Sequence, residues 1–234
     1  MDASKLLGLL AGTLAHLDAD MPLASRLCRA CVEIVGAQSG ALTVTTPSGE
    51  RMVVSTSGGV SEQIEDLQEV LGEGPGQLAL DEARVVVTRI DGDTASTFPV
   101  FSQMVSSVSG PATVYAVPMR VGQRVVGVLS LYVTTDGLAR DLEDLQFLAD
   151  AVGTSLLGDL ESLDWSDRAR IHQATGMVTA QLKIPPPDAL AVLRAHAFAR
   201  SSTLQDVADE VLARRMAFTH DDITVDENER TEDS

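Results

Sequence analysis

The sequence predicts an α+β chain: an N-terminal domain with helices flanking an antiparallel sheet, a long connecting helix, and a compact unit of three helices. Three observations predict it. Over the first two thirds, helical and strand-like segments follow in the order α-α-β-β-α-β-(α)-β-β-α, without the strict β-α alternation of a parallel sheet. Residues 138–163 then keep an apolar seam at helical spacing, and residues 162–218 read as helix alone. The 234 residues are 44% hydrophobic but only 3% aromatic, so the core must be built from Leu, Val and Ala.

Leu7, Leu10, Leu14 and Leu17 recur at helical spacing and predict a first amphipathic helix over about 3–18. Leu23, Leu27, Cys31 and Ile34 predict a second over about 21–36. "SGALTVTTPSGERMVVSTSGG" reads as strand, Pro-Ser-Gly turn, strand. "VSEQIEDLQEVLG" predicts a short helix from a Ser61 N-cap, "GEGPGQLAL" a glycine-rich loop around Pro75, and "RVVVT" (84–88) a strand. "DGDTASTFPVFSQMVSSVSG" predicts a long loop with a helical turn or two. "PATVYAVPMR", the turn "VGQR" and "VVGVLSLYVTT" make a hairpin that completes a sheet of five or six strands. Beyond it, Leu138, Leu142, Leu145, Ala149, Val152, Leu156, Asp159 and Leu163 keep a 4-3-4-3 spacing broken only at Asp159. Such a seam suits packing within the chain or a two-chain coiled coil, and its length favours a homodimer made by residues 138–163.

Compartment and charge narrow the function classes. No apolar run reaches the 18 residues of a membrane span, and the first segment is amphipathic rather than a basic-then-apolar signal peptide, which places the chain in the cytoplasm. Cys28 and Cys31 are the only cysteines and fall within a helical pattern. With no second pair or histidine cluster, they read as packed thiols rather than a zinc site, with redox sensing as the sharper alternative. The net charge of −17 opposes general nucleic-acid affinity, but it is unevenly spread. Residues 1–161 hold 9 Lys/Arg against 21 Asp/Glu, residues 162–218 hold 7 against 6, and residues 219–234 hold 1 against 7. The middle segment alone does not repel a polyanion.

That segment reads as three helices joined by short connections. In the first, from about Asp164 to Leu182, Ile171, Ala174, Val178 and Leu182 share one face at 100° per residue. The opposite face carries Ala169, Gln173, Gly176 and Ala180, bordered by His172 and flanked by Arg168 and Arg170. A small face between cations lets a flat surface approach the helix backbone, although Gly176 could equally admit a neighbouring helix. "IPPPDALAVLRAHAFAR" starts the second helix, with Ala189, Leu193 and Ala197 inward. "SSTLQDVADEVLARRM" gives the third, where Ser202–Gln205 fits a capping box and Leu204, Val207, Ala208 and Val211 face inward. Trp165 reads as a helix anchor, Phe198 as core, His196 as structural, and Arg194 as either an ion-pair partner or a ligand contact. His220 and "DDITVDENERTEDS" read as an acidic disordered tail, or as a mimic of RNA that shields the arginines.

Two family resemblances sharpen this reading. The element order and the hairpin "ATVYAVPMRVGQRVVGVLSLYV" resemble a GAF domain over residues 1–158, and "GEGPGQLAL" looks like a loop of many actinobacterial GAF proteins. The resemblance implies a sensory cavity that takes an unidentified small molecule or signalling partner. The cyclic-nucleotide signature and the phytochrome chromophore cysteine are absent. "R-A-R-I-H-Q-A-T-G-M-V", "D-A-L-A-V-L-R-A-H-A" and "T-L-Q-D-V-A" resemble an ANTAR domain over residues 159–218, with Ile171, Ala174, Gly176, Ala189, Leu193, Arg194, Ala197, Leu204 and Ala208 in register. Many members have lysine where this chain has Thr175. The resemblance implies binding to the exposed loops of paired hexanucleotide RNA hairpins in nascent mRNA, as a dimer, and hence transcription antitermination. Its implied RNA surface comprises Arg168, Arg170, His172, Gln173, Thr175, Gly176, Arg194 and Arg200, with stacking supplied by arginine or His172.

A signalling adaptor working by protein–protein contact, without RNA, remains the alternative. Enzyme activity is not expected. No phosphate-cradling glycine loop runs into Lys-Ser/Thr, and no nucleophile–His–acid set, metal set or cofactor motif stands out. Duplex DNA is disfavoured by the weak positive charge.

Overall fold

The computed structural model describes residues 1–45, 51–91, 97–134, 137–158 and 166–219, the side chains of 107–108 and 166–169 excepted. The chain divides into two compact units, Met1–Leu163 and Asp164–Ser234.

The first unit is a five-stranded antiparallel sheet between two helical layers, in the order β2-β1-β5-β4-β3. Its strands are β1 (Ser39–Thr45), β2 (Arg51–Thr56), β3 (Val86–Ile90), β4 (Ala112–Val121) and β5 (Arg124–Val133). The hairpin read from the sequence is the β4–β5 pair, turning at Gly122 with φ of 63°, a left-handed conformation that suits glycine. One layer holds α1 (Ala3–His16), α2 (Leu23–Val35) and α6 (Leu142–Leu157). The other holds α3 (Gly59–Leu71), α4 (Pro75–Glu82) and α5 (Pro99–Ser109). Strand alternation divides the core between them. Ala41, Val114 and Tyr132 pack with Ile64 of α3 and with Phe101 and Val105 of α5. On the opposite face, Gly153 of α6 lies so close to Met119 of β4 that an added Cβ would stand 3.0 Å from the Met119 side chain. No helix among the described residues is long and apolar enough to cross a membrane.

Several element ends differ from the sequence reading, each for a local reason. "GEGPGQLAL" is not a loop throughout: Pro75 opens α4 at its first turn, where a missing N–H costs nothing. The N-cap of α3 is Gly58, and the Ser61 hydroxyl donates to the Gly58 carbonyl at 2.7 Å instead of capping the helix. Residues 99–109 form a full helix. Helix α6 begins at Leu142 because Asp141 caps it, accepting from Asp144 N at 2.8 Å, which leaves Leu138 outside the helix. The seam is also consumed within the unit. Leu145, Ala149, Val152 and Leu156 are buried and only Leu142 is exposed, while Asp159 and Leu163 lie outside the described residues. The expectation that this seam makes a coiled coil therefore loses its motive. Its spacing reflects a helix lying on a sheet.

Among the described residues, the second unit is three helices: α7 (Ser166–Leu182), α8 (Pro186–Ala199) and α9 (Leu204–Leu212). All the inward positions read from the sequence are buried: Ile171, Ala174, Val178 and Leu182 on α7, Ala189, Leu193 and Ala197 on α8, and Leu204, Val207, Ala208 and Val211 on α9. The capping box of α9 sits one residue later than expected. Thr203 accepts from Asp206 N at 3.0 Å, and the Asp206 carboxylate accepts from Thr203 N at 3.2 Å. Helix α9 is accordingly shorter than the segment assigned to it.

Candidate nucleic-acid interface and sensory cavity

The stripe of α7 that packs on α8 and α9 holds Ile171, Ala174, Val178 and Leu182, all buried. Arg170, His172, Gln173, Gly176 and Ala180 are exposed, whereas the side chain of Ala169, the remaining member of the small-residue face, lies outside the described residues. A Cβ added to Gly176 would meet nothing within 4 Å, and its backbone is right-handed helical. Neither packing nor conformation requires a glycine there, although it costs the helix about 1 kcal/mol relative to alanine. The reading in which Gly176 admits a neighbouring helix of the same unit is thereby removed.

Thr175 does not belong to this face. It is buried, and its hydroxyl donates to the Ile171 carbonyl one turn earlier at 2.8 Å. The helical projection explains its place, since Thr175 falls about 40° from Ile171 and inside the core stripe. The Arg168 side chain and Trp165 lie outside the described residues. So do His220 and the rest of the acidic tail.

The structure gives two of the expected cations acidic partners on α9. Arg170 Nε donates to Asp209 Oδ1 at 2.6 Å, and the same oxygen accepts from Gln205 Nε2 at 3.0 Å. Arg200 grips Glu210 with both terminal nitrogens, Nη2 donating to Oε1 at 3.1 Å and Nη1 to Oε2. That hydrogen-bonded pair raises the Arg200 pKa and lowers the Glu210 pKa below the usual carboxylate range. The two arginines differ in what remains. Arg170 uses only Nε, so both terminal nitrogens can still face a phosphate, whereas the Arg200 fork is engaged. Arg194 is partly buried on α8. Among the described residues, the expected set therefore does not form one continuous basic patch. His172, Gln173 and Gly176 share the open face, Arg170 leaves it toward α9, and Arg200 lies beyond the α9 carboxylates.

His196 is structural as expected, packing edge-on against buried Phe218 at 5.0 Å between ring centres, and Phe218 N donates to Gln181 Oε1 at 3.0 Å. Phe198 is not core: it is 45% exposed.

In the first unit a cavity of about 260 Å³ opens between the ends of β1 and β5 and the start of α3. Its lining includes the polar residues Gln38, Ser39, Ser57, Ser109, Tyr132 and Thr134 and the apolar Val60 and Ile64, and no lining residue is charged. Tyr132 joins the cavity to a buried ion pair that sequence reasoning missed. Its hydroxyl donates to Glu65 Oε1 at 2.6 Å, while Arg51 Nη2 donates to Glu65 Oε2 at 2.6 Å. Burial and the adjacent carboxylate push the Tyr132 pKa well above that of an ordinary phenol. Cys28 and Cys31 are both free and buried, and desolvation raises each thiol to about 12. These are packed thiols, not poised redox nucleophiles.

Comparison with protein families matches residues 22–156 to the GAF domain and residues 164–212 to the ANTAR domain. Solved structures similar to the chain include the GAF domain of an Acinetobacter phosphoenolpyruvate-protein phosphotransferase. It is 11% identical, covers 70% of this chain and 99% of its own, and has a TM-score of 0.44. A GAF domain/HD domain protein from Geobacter sulfurreducens is 16% identical, covering 67% of this chain and 95% of its own, at 0.41. A domain of a two-component sensor histidine kinase protein from Sinorhizobium meliloti 1021 is 16% identical, covering 56% and 85%, at 0.42. No curated protein matches the chain. The family matches carry the assignment: the chain belongs to the GAF family and continues into an ANTAR domain, a signal-sensing domain followed by an RNA-binding antitermination domain.

Proposed function

We propose that this chain is a signal-responsive antitermination regulator. Its ANTAR unit binds the exposed loops of paired RNA hairpins in a nascent transcript, and its GAF unit receives the signal without catalysis. The carrying observation is the open face of α7, where His172, Gln173 and Gly176 stand exposed and the glycine has no neighbour to accommodate. A flat loop of unpaired nucleotides is the partner that such a face admits, because unpaired bases present planes and edges to a side-chain surface. Two copies of the chain answer the two hairpins, so the acting species is a homodimer in the cytoplasm, formed by a surface other than the α6 seam. The cavity, lined by uncharged residues, suits an uncharged polar small molecule as the input.

The test is fluorescence anisotropy of the full chain with a labelled two-hairpin RNA, against the same RNA with its loops scrambled. Gly176→Ala keeps the surface nearly flat and stabilises the helix, so it should fold and bind. Gly176→Leu should fold, since open space surrounds the position, and should lose binding. Equal binding of both RNAs by the parent, or full binding by Gly176→Leu, overturns the proposal.

A further inference from the structure

We infer that Phe198 is a stacking platform for one unpaired nucleobase of the RNA; this rests on the function proposed above. Among the described residues, Phe198 is the one aromatic side chain within the exposed large apolar set. Helix projection explains why. Ala189, Leu193 and Ala197 face the core of the unit, and Phe198 is turned a further 100° away from Ala197. Phe198 is thus 45% exposed, while Phe218, in the same unit, is buried against His196.

The surroundings of the ring decide between partners. Ala191 and Ala195 precede it along the exposed ridge of α8 and are themselves exposed. They leave the side of the ring clear for a flat ligand, where larger side chains would cover it. Arg194 lies one turn earlier on the same helix, and Arg200 follows two residues later, its guanidinium fixed by Glu210. A protein-docking surface would need several large apolar residues around the phenylalanine, and this one has alanines and arginines. A nucleobase needs one π-face with room beside it, and an exposed phenylalanine flanked by exposed alanines offers that.

Stacking has a signature that separates it from charge contacts. It releases no counterions, so removing it lowers affinity without altering the salt dependence, whereas loss of a phosphate contact flattens that dependence by about 0.7 in the log–log slope. The experiment measures anisotropy of a two-hairpin RNA with the full chain over a salt series, for the parent, F198A, F198L and F198W. Loss of one stacked base should weaken F198A by about 5- to 150-fold with an unchanged slope. F198L restores volume but no π-face and should stay as weak as F198A, while F198W should bind like the parent. When F198W is combined with Trp165→Phe, its indole is the sole tryptophan fluorophore, and the RNA should quench that emission. If the parent fails to bind, the proposed function falls and this inference with it. If the parent binds and F198A matches it, or F198L restores affinity, the stacking assignment alone is overturned. It is also overturned if light scattering shows F198A with a changed oligomeric size, since the ring then serves a contact between copies.

Discussion

Asp209→Asn should tighten RNA binding. In the free protein Arg170 donates from Nε to Asp209 at 2.6 Å, with about two fifths of each side chain exposed (45% and 39%). A phosphate that takes the two terminal nitrogens weakens the pull of the guanidinium on Asp209, and the carboxylate then stands near the phosphate. An exposed pair of this kind is worth about 0.2–1 kcal/mol after screening by solvent. Two like charges about 6 Å apart in water repel by about 0.7 kcal/mol, less in salt. Together the terms give about 0.5–1.5 kcal/mol, or about 2- to 12-fold tighter binding per protomer at about 1.36 kcal/mol per tenfold. Asparagine preserves the shape, and its amide oxygen can still accept from Gln205, so α9 should retain its helix. The assay is anisotropy at several salt concentrations with circular dichroism as the control, and the gain should shrink as salt rises. Weaker binding by a folded Asp209→Asn variant would refute the reasoning, showing that the carboxylate orients Arg170 for the RNA instead of competing with it. If Arg170→Ala also binds like the parent, Arg170 is not in the interface.

Two further outcomes concern the GAF unit. Glu65→Gln should destabilise it by about 3–5 kcal/mol in urea titrations, because Arg51 and the Tyr132 hydroxyl lose a buried carboxylate that accepts from both; Tyr132→Phe should cost less, about 1–3 kcal/mol, as one acceptor is left unpaired. Cys28 and Cys31, with thiols raised from 9 to about 12, should resist maleimide at pH 8 until the protein unfolds. Because their folded values exceed the unfolded ones, the stability they contribute is complete below about pH 9 and is lost as pH climbs from 9 toward 12. Native-state labelling at pH 8 as fast as in urea would contradict the burial.

Periodicity made the helices and their buried stripes legible, since each stripe depends only on residues three and four apart. It failed where one residue acts against its composition. Glycines masked the Pro75 start of α4, and the aspartates at 141 and 206 set helix ends that Leu138 and Gln205 had suggested elsewhere. Phe198 reads as core because aromatic side chains are mostly buried, yet it lies 100° from Ala197 and off the core stripe. The acidic partners of Arg170 and Arg200 belong to a different class of miss, because 39 and 10 residues separate each pair and only the packing of α9 brings them together. Sequence segments with nearly balanced charge therefore do not reveal which cations are available.

The seam of α6 shows the same ambiguity at the level of assembly. A 4-3-4-3 apolar repeat records that a helix has one dry face, and a sheet dries that face as well as a second helix does. Here Gln146 and Asp150 settle which. Gln146 Nε2 donates to the Pro118 carbonyl at 2.7 Å, and Asp150 accepts from Arg120 N at 2.9 Å, on either side of the register shift between Met119 and Arg120. Those two polar side chains satisfy backbone groups of β4 at its irregular step, which a helix facing a coiled-coil partner could not do. The apolar seam and the polar residues beside it thus serve one contact, between α6 and the sheet. A dimer of this chain must draw on surface that the seam does not use.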